Sequence, residues 1–447
     1  MKLLLLTAVM ALSTMSPADS AEVATARDTV VFTLQDAIKV ALSENVSVLV
    51  ADKEIMRTKY AHRGTYAALF PQVDLSGSYQ RTLKKQVMYM DAPGMPADGL
   101  EIGRFNTWSG AVNASMPIIN SALWQSVRIS ADEVELAVEK ARGSRIDVVT
   151  EVKNAFYAVL MAKETYKVYE KVLDNAKVNL DITQSKYDSQ KASEMDLLRA
   201  KTSYANAVPD YYNASNMIEL SLWQLKAVMG IDLDTKIDVE GCLGDYAQQM
   251  FYDIHEHDAL DMSGNSSLKQ LDIQVEELRK SVVANGLAYV PTLSVAFSYS
   301  YNAMENSFNF SEYKWTPHSY VGLSLQIPIF SGLKRLNNVK VSKANLANAQ
   351  LQRTNTERQL KIAAKSELNT METQMKTYVA AQAATESAQK GFDISRASYE
   401  VGRSTLVELN DAMLALANAE MSQWSAVYKF LTSKSNLEKQ LGLTYTE

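Results

Sequence analysis

Residues 320–335, YVGLSLQIPIFSGLKR, join two different periodicities without a gap. Val321, Leu323, Leu325 and Ile327 alternate with Gly322, Ser324 and Gln326, the period-two pattern of a strand with one apolar face. Past Gly332 the chain turns long, polar and alanine-rich at helical spacing. Residues 110–125, GAVNASMPIINSALWQ, follow the same plan, with Pro117 in the place of Pro328. Any fold for this chain must therefore accommodate two junctions at which a strand runs straight into a long helix.

The junctions belong to a wider internal match. Residues 41–80 align with 261–300 without a gap, setting Asn45 on Asn265, Pro71 on Pro291 and Tyr79 on Tyr299. Residues 186–198 align with 398–410, setting Tyr187 on Tyr399 and Leu197 on Leu409, and Gly230 falls on Gly442 at the same offset. Internal repetition of this length predicts two copies of one supersecondary plan. Each copy reads helix, proline, strand, long loop, strand, proline, long helix, break, helix. The predicted divisions are 1–21, 22–230, 231–254 and 255–447, with 231–254 a linker that lacks a helical stripe.

Four strands are predicted, at about 72–82, 106–119, 292–302 and 317–330. Each sets an apolar face against Ser, Thr, Asn, Gln or Gly: Val73, Leu75 and Tyr79 oppose Asp74, Ser76 and Ser78, for instance. Strands of about ten residues match the length that crosses a bilayer at a tilt. Tyr79, Trp108, Tyr299, Tyr301, Trp315 and Tyr320 cluster near strand ends, as an interfacial aromatic belt would. An antiparallel sheet packed on a soluble core would alternate in the same way. Four strands cannot close a barrel, and an open sheet in hydrocarbon would leave two rows of unpaired backbone groups. Spanning strands would thus require several copies. Two would give eight strands and a filled interior, three would give twelve and room for a lumen, and the small polar residues of the inner face favour the latter.

The helical segments carry a coiled-coil seam. Val134, Val138, Ala141, Arg145, Val148, Val152, Ala155 and Val159 recur in alternating steps of four and three. The other faces are polar and mixed in charge, which predicts long hairpins solvated on both flanks.

Composition excludes several function classes. The formal net charge of −6 and the lack of a basic stripe argue against nucleic acid. The single cysteine, Cys242, leaves no intrachain disulfide and no cysteine zinc site. His255 and His257 in DIHEHD sit two apart, which on a helix turns them away from each other, so no metal is expected. No phosphate loop, nucleophile elbow or zinc-protease motif occurs, and neither catalytic residues nor a cofactor is expected. Lys2, the run LLLLTAVMAL and the small residues of SPADSAE have the layout of a secretory signal peptide, with cleavage expected after Ser20 or Ala21. No cysteine stands there to be lipidated, and no later segment holds 18 consecutive apolar residues.

The strand, Pro328 and FSGLKR leading into a long helix, the stretch YEVGRSTLVELNDAMLALANAE at 399–420, and the duplication together resemble the TolC-type outer-membrane efflux proteins. The motif Tyr399-Glu-Val-Gly402 with Leu406 and Leu409 is the most specific part; the first copy keeps Tyr187 but carries Gln190 where the family tends to have glycine. The resemblance implies a homotrimer in a Gram-negative outer membrane: a 12-stranded β-barrel continuous with a coiled-coil helical barrel that crosses the periplasm. It implies an exit duct for small molecules, served by a periplasmic adaptor and an inner-membrane transporter, with no chemistry catalysed. A duct for type I protein secretion and a periplasmic structural coiled coil are the alternatives. It further implies an equatorial belt around the Tyr187 and Tyr399 turns and 231–254, and an aperture at hairpin tips near 158–168 and 370–382. Lys163, Glu164, Lys376 and Tyr378 are the tip candidates, with Glu164 and Lys376 expected in aperture-closing polar contacts. Pro209 is expected to bend or break its helix near Val208.

Overall fold

The computed structural model describes residues 29–89, 99–251 and 261–443. The leader at 1–21 and the histidines His255 and His257 lie outside the described residues. In chain order the elements are β1 (Val30–Phe32), α1 (Leu34–Glu44), α2 (Val46–Ala67), β2 (Gln72–Arg81), β3 (Gln86–Met88), β4 (Leu100–Ile102), β5 (Asn106–Ile119), α3 (Ser121–Asp188) and α4 (Glu194–Met229). They continue as β6 (Ile237–Val239), α5 (Leu243–Ala247), α6 (Ser266–Leu287), β7 (Thr292–Glu305), β8 (Thr316–Gln326), α7 (Lys334–Glu400) and α8 (Leu406–Leu441). The order helix, strand, strand, long helix, helix thus occurs twice.

The main sheet is antiparallel, in the order β2-β5-β7-β8, so β2 and β8 are its edges. Its register aligns the alternation across all four strands: Leu75 faces Val112, Val112 faces Tyr299, and Phe297 faces Val321. One face is consequently apolar and open, with Leu75 81% and Leu323 71% exposed. The other is knitted by short polar side chains, such as Ser78 Oγ with Ser109 Oγ at 2.7 Å and Ser298 Oγ donating to Asn113 at 2.8 Å. The strands fall within a few residues of the predicted positions, except that β8 ends at Gln326 rather than near 330. Pro328, with no N–H to donate, follows directly. Pro117 lies inside β5, where the pairing with β7 shifts register between Pro117 and Ile119.

At the helix-distal end of the apolar face, segment 306–315 folds back onto the sheet. Tyr79 stacks on Trp108 with ring centroids 4.4 Å apart, and Phe308 and Phe310 close over them. The buried Asn106 accepts from the Tyr79 hydroxyl and donates to the carbonyls of Asn306 and Ser307. Four aromatic rings and one amide thus hold the segment in place.

α3 and α7 hold 68 and 67 residues, about 100 Å each at 1.5 Å per residue. Neither contains proline, and each contains one glycine. At Gly143 an added Cβ would come 2.7 Å from Ser266 Oγ, so that glycine permits the close approach of α6. α3 packs on α4 and α7 on α8, and the main core forms where α1, α3, α4, α7 and α8 converge, around Val152, Phe156, Leu160, Leu225, Phe430 and Leu437. Burying each of these chains stabilises the fold by about 1.5–3 kcal/mol. Ala141, Val148, Val152 and Val159 of the predicted seam are buried and Ala155 is partly so, while its one polar intruder, Arg145, reaches out to Asp52 on α2 at 2.5 Å.

Asn45 and Asn265 perform the same double task. Asn45 caps α2 through Ser47 N at 2.7 Å while its amide donates to Val228 O at the end of α4. Asn265 caps α6 through Leu268 N at 3.0 Å while its amide donates to Gln440 O at the end of α8. Gly230 and Gly442, both left-handed, end α4 and α8 beside them, where an added Cβ would strike Glu44 O or Gly264 O.

Two expectations are corrected. The hairpins do not turn near 158–168 or 370–382: α3 and α7 run through those residues and end at Asp188 and Glu400. The segments have no glycine or proline to stop a helix, and Thr165, Thr370 and Thr377 bond back to carbonyls of their own helix, whereas Ser193 and Thr405 are N-caps. Nor does Pro209 break its helix, since α4 is continuous from Glu194 to Met229. Pro209 and Ala205, the carbonyl it orphans, are both exposed, so water can satisfy that carbonyl, while Ala200, Ala207 and Ala214 bury the opposite face.

Candidate functional site

The two hairpin turns are built alike. At the end of α3, Gln190 N donates to Tyr187 O at 2.8 Å and Lys191 N to Lys186 O at 2.7 Å. At the end of α7, Gly402 N donates to Tyr399 O at 3.0 Å and Arg403 N to Ser398 O at 2.8 Å. Both turns need a left-handed residue, Gln190 at φ +62° and Gly402 at φ +78°. Ser193 then caps α4 through Asp196 N, and Thr405 caps α8 through Glu408 N. Glu408 returns a carboxylate to Thr405 N at 3.0 Å, a reciprocal capping box. The hydrogen bonds from Ser404 and from Thr405 N hold the Glu408 carboxyl below the usual carboxylate range.

Contacts centred on Tyr399 tie the two hairpins together near their turns. The Tyr399 ring is buried, with its hydroxyl 2.6 Å from Thr183 Oγ1 on α3. Thr183 donates its hydrogen to Asn179 O at 2.7 Å, so the tyrosine hydroxyl is the donor between the pair. Lys186 lies over the same ring, 3.9 Å from its centroid, and donates to Tyr399 O. Burial lowers the Lys186 pKa, and Glu400 partly offsets this. Phe392, Leu406, Leu409 and Met413 complete a second apolar cluster around Tyr399. Tyr187, the counterpart of Tyr399, is 38% exposed and has no such cluster.

The expected tip residues sit elsewhere. Lys163, midway along α3, pairs with Asp238 at 2.7 Å and donates to Val239 O at 2.8 Å, both on β6. Glu164 is buried and pairs with Lys167 one turn on at 2.9 Å. Lys376 pairs with Glu372 on its own helix at 2.7 Å, so Glu164 and Lys376 do not meet. The buried Tyr378 stacks edge-on with Phe251, ring centroids 6.4 Å apart. Lys163 and Tyr378 therefore mark where the long helices meet the 231–254 segment. Thr183 and Lys186, which join the hairpins, escape a reading that places the tips a third of a helix away. The signal that could have found them is the left-handed residue followed by an N-cap, read as the turn itself.

Pro328 and Gly332 shape the second junction. Pro328 O accepts from Arg335 Nη1 at 2.9 Å, and Gly332 is left-handed at φ +57°. Among the described residues no group of three His, Cys, Asp or Glu could hold a metal ion. No described helix is long and apolar enough to cross a membrane.

Known proteins share this arrangement. The sequence profile of the outer membrane efflux proteins matches residues 37–231 and 262–443. Outer membrane protein TolC of Escherichia coli K12 is 21% identical over 386 residues, covering 84% of this chain and 75% of the relative. TolC of Vibrio cholerae is 20% identical over 384 residues, covering 84% and 83%. The outer membrane protein VceC of Vibrio cholerae superposes with a TM-score of 0.73 at 14% identity, over 92% of this chain and 96% of its own. The Campylobacter jejuni CmeC outer membrane channel gives 0.72 at 17% identity, over 92% and 85%. A profile that runs through both hairpins, and channels that share the fold, lead to one conclusion: the chain belongs to the outer membrane efflux protein family of TolC type.

Proposed function

We propose that three copies of this chain form the outer-membrane exit duct of a tripartite efflux system that exports small toxic molecules. The observation that carries this reading is the β2-β5-β7-β8 sheet. It is apolar on one face, polar on the other, unpaired at both edges and continuous with α3 and α7. In hydrocarbon both edges must be paired, and pairing β8 of one copy with β2 of the next does this without new elements. Twelve strands about 4.8 Å apart and tilted about 40° give a barrel about 12 Å in radius at the backbone. Eight would give about 8 Å, which side chains fill. The Ser- and Asn-lined face then bounds the lumen and the apolar face meets lipid. The helical hairpins reach into the periplasm toward an adaptor and an inner-membrane transporter, with the turns at 189–193 and 401–405 as the closable end.

A deletion strain, complemented with the chain, tests the assignment. The deletion should raise sensitivity to drugs, dyes or metals and leave secreted proteins unchanged, and the complementing chain should restore resistance. Unchanged sensitivity with a lost secreted protein would instead assign the chain to type I secretion. A monomer recovered without detergent would sink both and leave a periplasmic structural protein.

A further inference from the structure

β2 and β8 each have one neighbour in the sheet. β2 starts, and β8 ends, at the end of the sheet from which the helices leave. Beside each of these two ends stands an apolar patch that the chain does not cover. Past β8, Ile327, Ile329 and Phe330 are 57%, 93% and 80% exposed. Before β2, Tyr66 and Phe70 are 46% and 54% exposed, packed edge-on with centroids 5.6 Å apart.

The patch past β8 has a fixed shape. Gly332 and Leu333 are both left-handed, at φ +57° and +65°, and throw the segment out of the sheet before α7 begins. Arg335 holds Pro328 O at 2.9 Å while its guanidinium lies 5.4 Å from the Tyr289 ring centroid. At the corresponding junction after β5, an interior strand, Ile118 and Ile119 are only 47% and 48% exposed and no residue is left-handed. There Asn120 caps α3 directly through Leu123 N at 3.0 Å. Of the two described junctions, the one at the edge projects further.

Strand geometry says what it would meet. Within one copy Gln72 stands level with Ser115, Ala296 and Gly322. In a closed barrel, four strands about 4.8 Å apart and tilted about 40° are displaced by about 16 Å, or about five residues. Paired residues share a face, so the step is even, four or six, and Gly322 would face residue 76 or 78 of the next copy. Displacement in the other sense would set it against residue 66 or 68, at the end of α2, where no strand exists to pair. Phe330, eight residues beyond Gly322, thus comes level with residues 68–70 of the neighbour, the turn that ends in Phe70.

We propose that Ile329 and Phe330 dock on Tyr66 and Phe70 of the adjacent copy of this chain. They form an apolar seam just below the last interchain strand hydrogen bond. The inference rests on the closed twelve-stranded reading above. The seam would hold strand wall and helix wall in step at each junction between copies, where backbone pairing has stopped and helix packing has not begun.

Cross-linking tests it in a Cys242→Ser background. The control pair Ser76→Cys with Ser324→Cys reports closure of the barrel, and Phe70→Cys with Phe330→Cys reports the seam. A short bismaleimide should link both pairs into dimers and trimers on denaturing gels. The double variant Ile329→Ala, Phe330→Ala should lower the temperature at which the trimer dissociates in detergent. Leu83→Ala, at the other end of the sheet and 91% exposed, should not. Linkage of 76 to 324 without linkage of 70 to 330 overturns the seam. Quenching of a Phe330→Trp variant by brominated phospholipid would then give lipid as the occupant. If neither pair links, the closed-barrel reading falls and the seam falls with it.

Discussion

The two hairpin turns make the same hydrogen bonds with different residues. Gly402 occupies the left-handed position at one and Gln190 at the other, with φ values only 16° apart (78 − 62). The backbone path is therefore set by what flanks the turn: a helix end that must reverse, and an N-cap three residues on, Ser193 or Thr405. The residue at the corner decides only how much strain that path carries. The environment differs more than the backbone does. Tyr399 is buried against Thr183 and Lys186, whereas Tyr187 is half exposed, so the second turn is anchored to the first hairpin without a reciprocal contact.

The largest test of this asymmetry is removal of the two tyrosines. Tyr399→Ala should cost about 3 kcal/mol or more, as for other buried aromatic truncations, and Tyr187→Ala well under half of that. Thermal unfolding of the purified assembly reads the difference, and equal losses would show that the turns are equivalent after all. If the turns close the duct, Tyr399→Ala should also raise ion conductance in planar bilayers. Next come the corners. Gly402→Ala should destabilise its turn by about 1–2 kcal/mol, the cost of a left-handed L-residue. Gln190→Gly should recover up to about 1 kcal/mol, less the entropy glycine loses on folding. Hydrogen exchange at residues 183–196 and 395–408 measures both, and a destabilised Gln190→Gly turn would mean that the glutamine side chain is used.

The smallest effect is with pH. The Glu408 carboxyl titrates lower in the folded chain than in the unfolded one, so its contribution is complete above the unfolded pKa, about 4.3. It is lost as pH falls through the lower folded value. Protection from exchange at residues 402–408, corrected for the intrinsic rate at each pH, should therefore fall below about pH 4, and Glu408→Gln should flatten that dependence. Identical acid dependence in Glu408→Gln would remove the carboxylate from the account.

Much of the sheet was legible in the sequence because alternation is local. Val73 to Tyr79 and Val321 to Ile327 disclose their faces without reference to any partner. The end of β8 was overrun because Ile327 and Ile329 continue the alternation past the point where Pro328 ends pairing. The hairpin tips were misplaced for a related reason. A heptad seam reads the same at every turn of a helix, so Val152 to Val159 says nothing about where α3 stops. The stop was written in single residues, Gln190 before Ser193 and Gly402 before Thr405. The Thr183–Tyr399 contact and the Asn106 clamp were beyond reach because each joins residues about 200 positions apart.

The lengths of the helices carry a consequence of their own. α3 and α7 differ by one residue, and α4 and α8 are equal at 36. A residue inserted into any of them would rotate everything beyond it by about 100° and advance it by about 1.5 Å. The buried seam would then face water. Over such a length a helix absorbs change only by whole heptads, about 10 Å at a time, and the partner helix must change with it. A chain of this design is therefore graduated like a ruler. Its reach below the sheet can be reset only in coarse, paired steps, and a single-codon insertion in α3 should be far more damaging than one in the loop between β3 and β4.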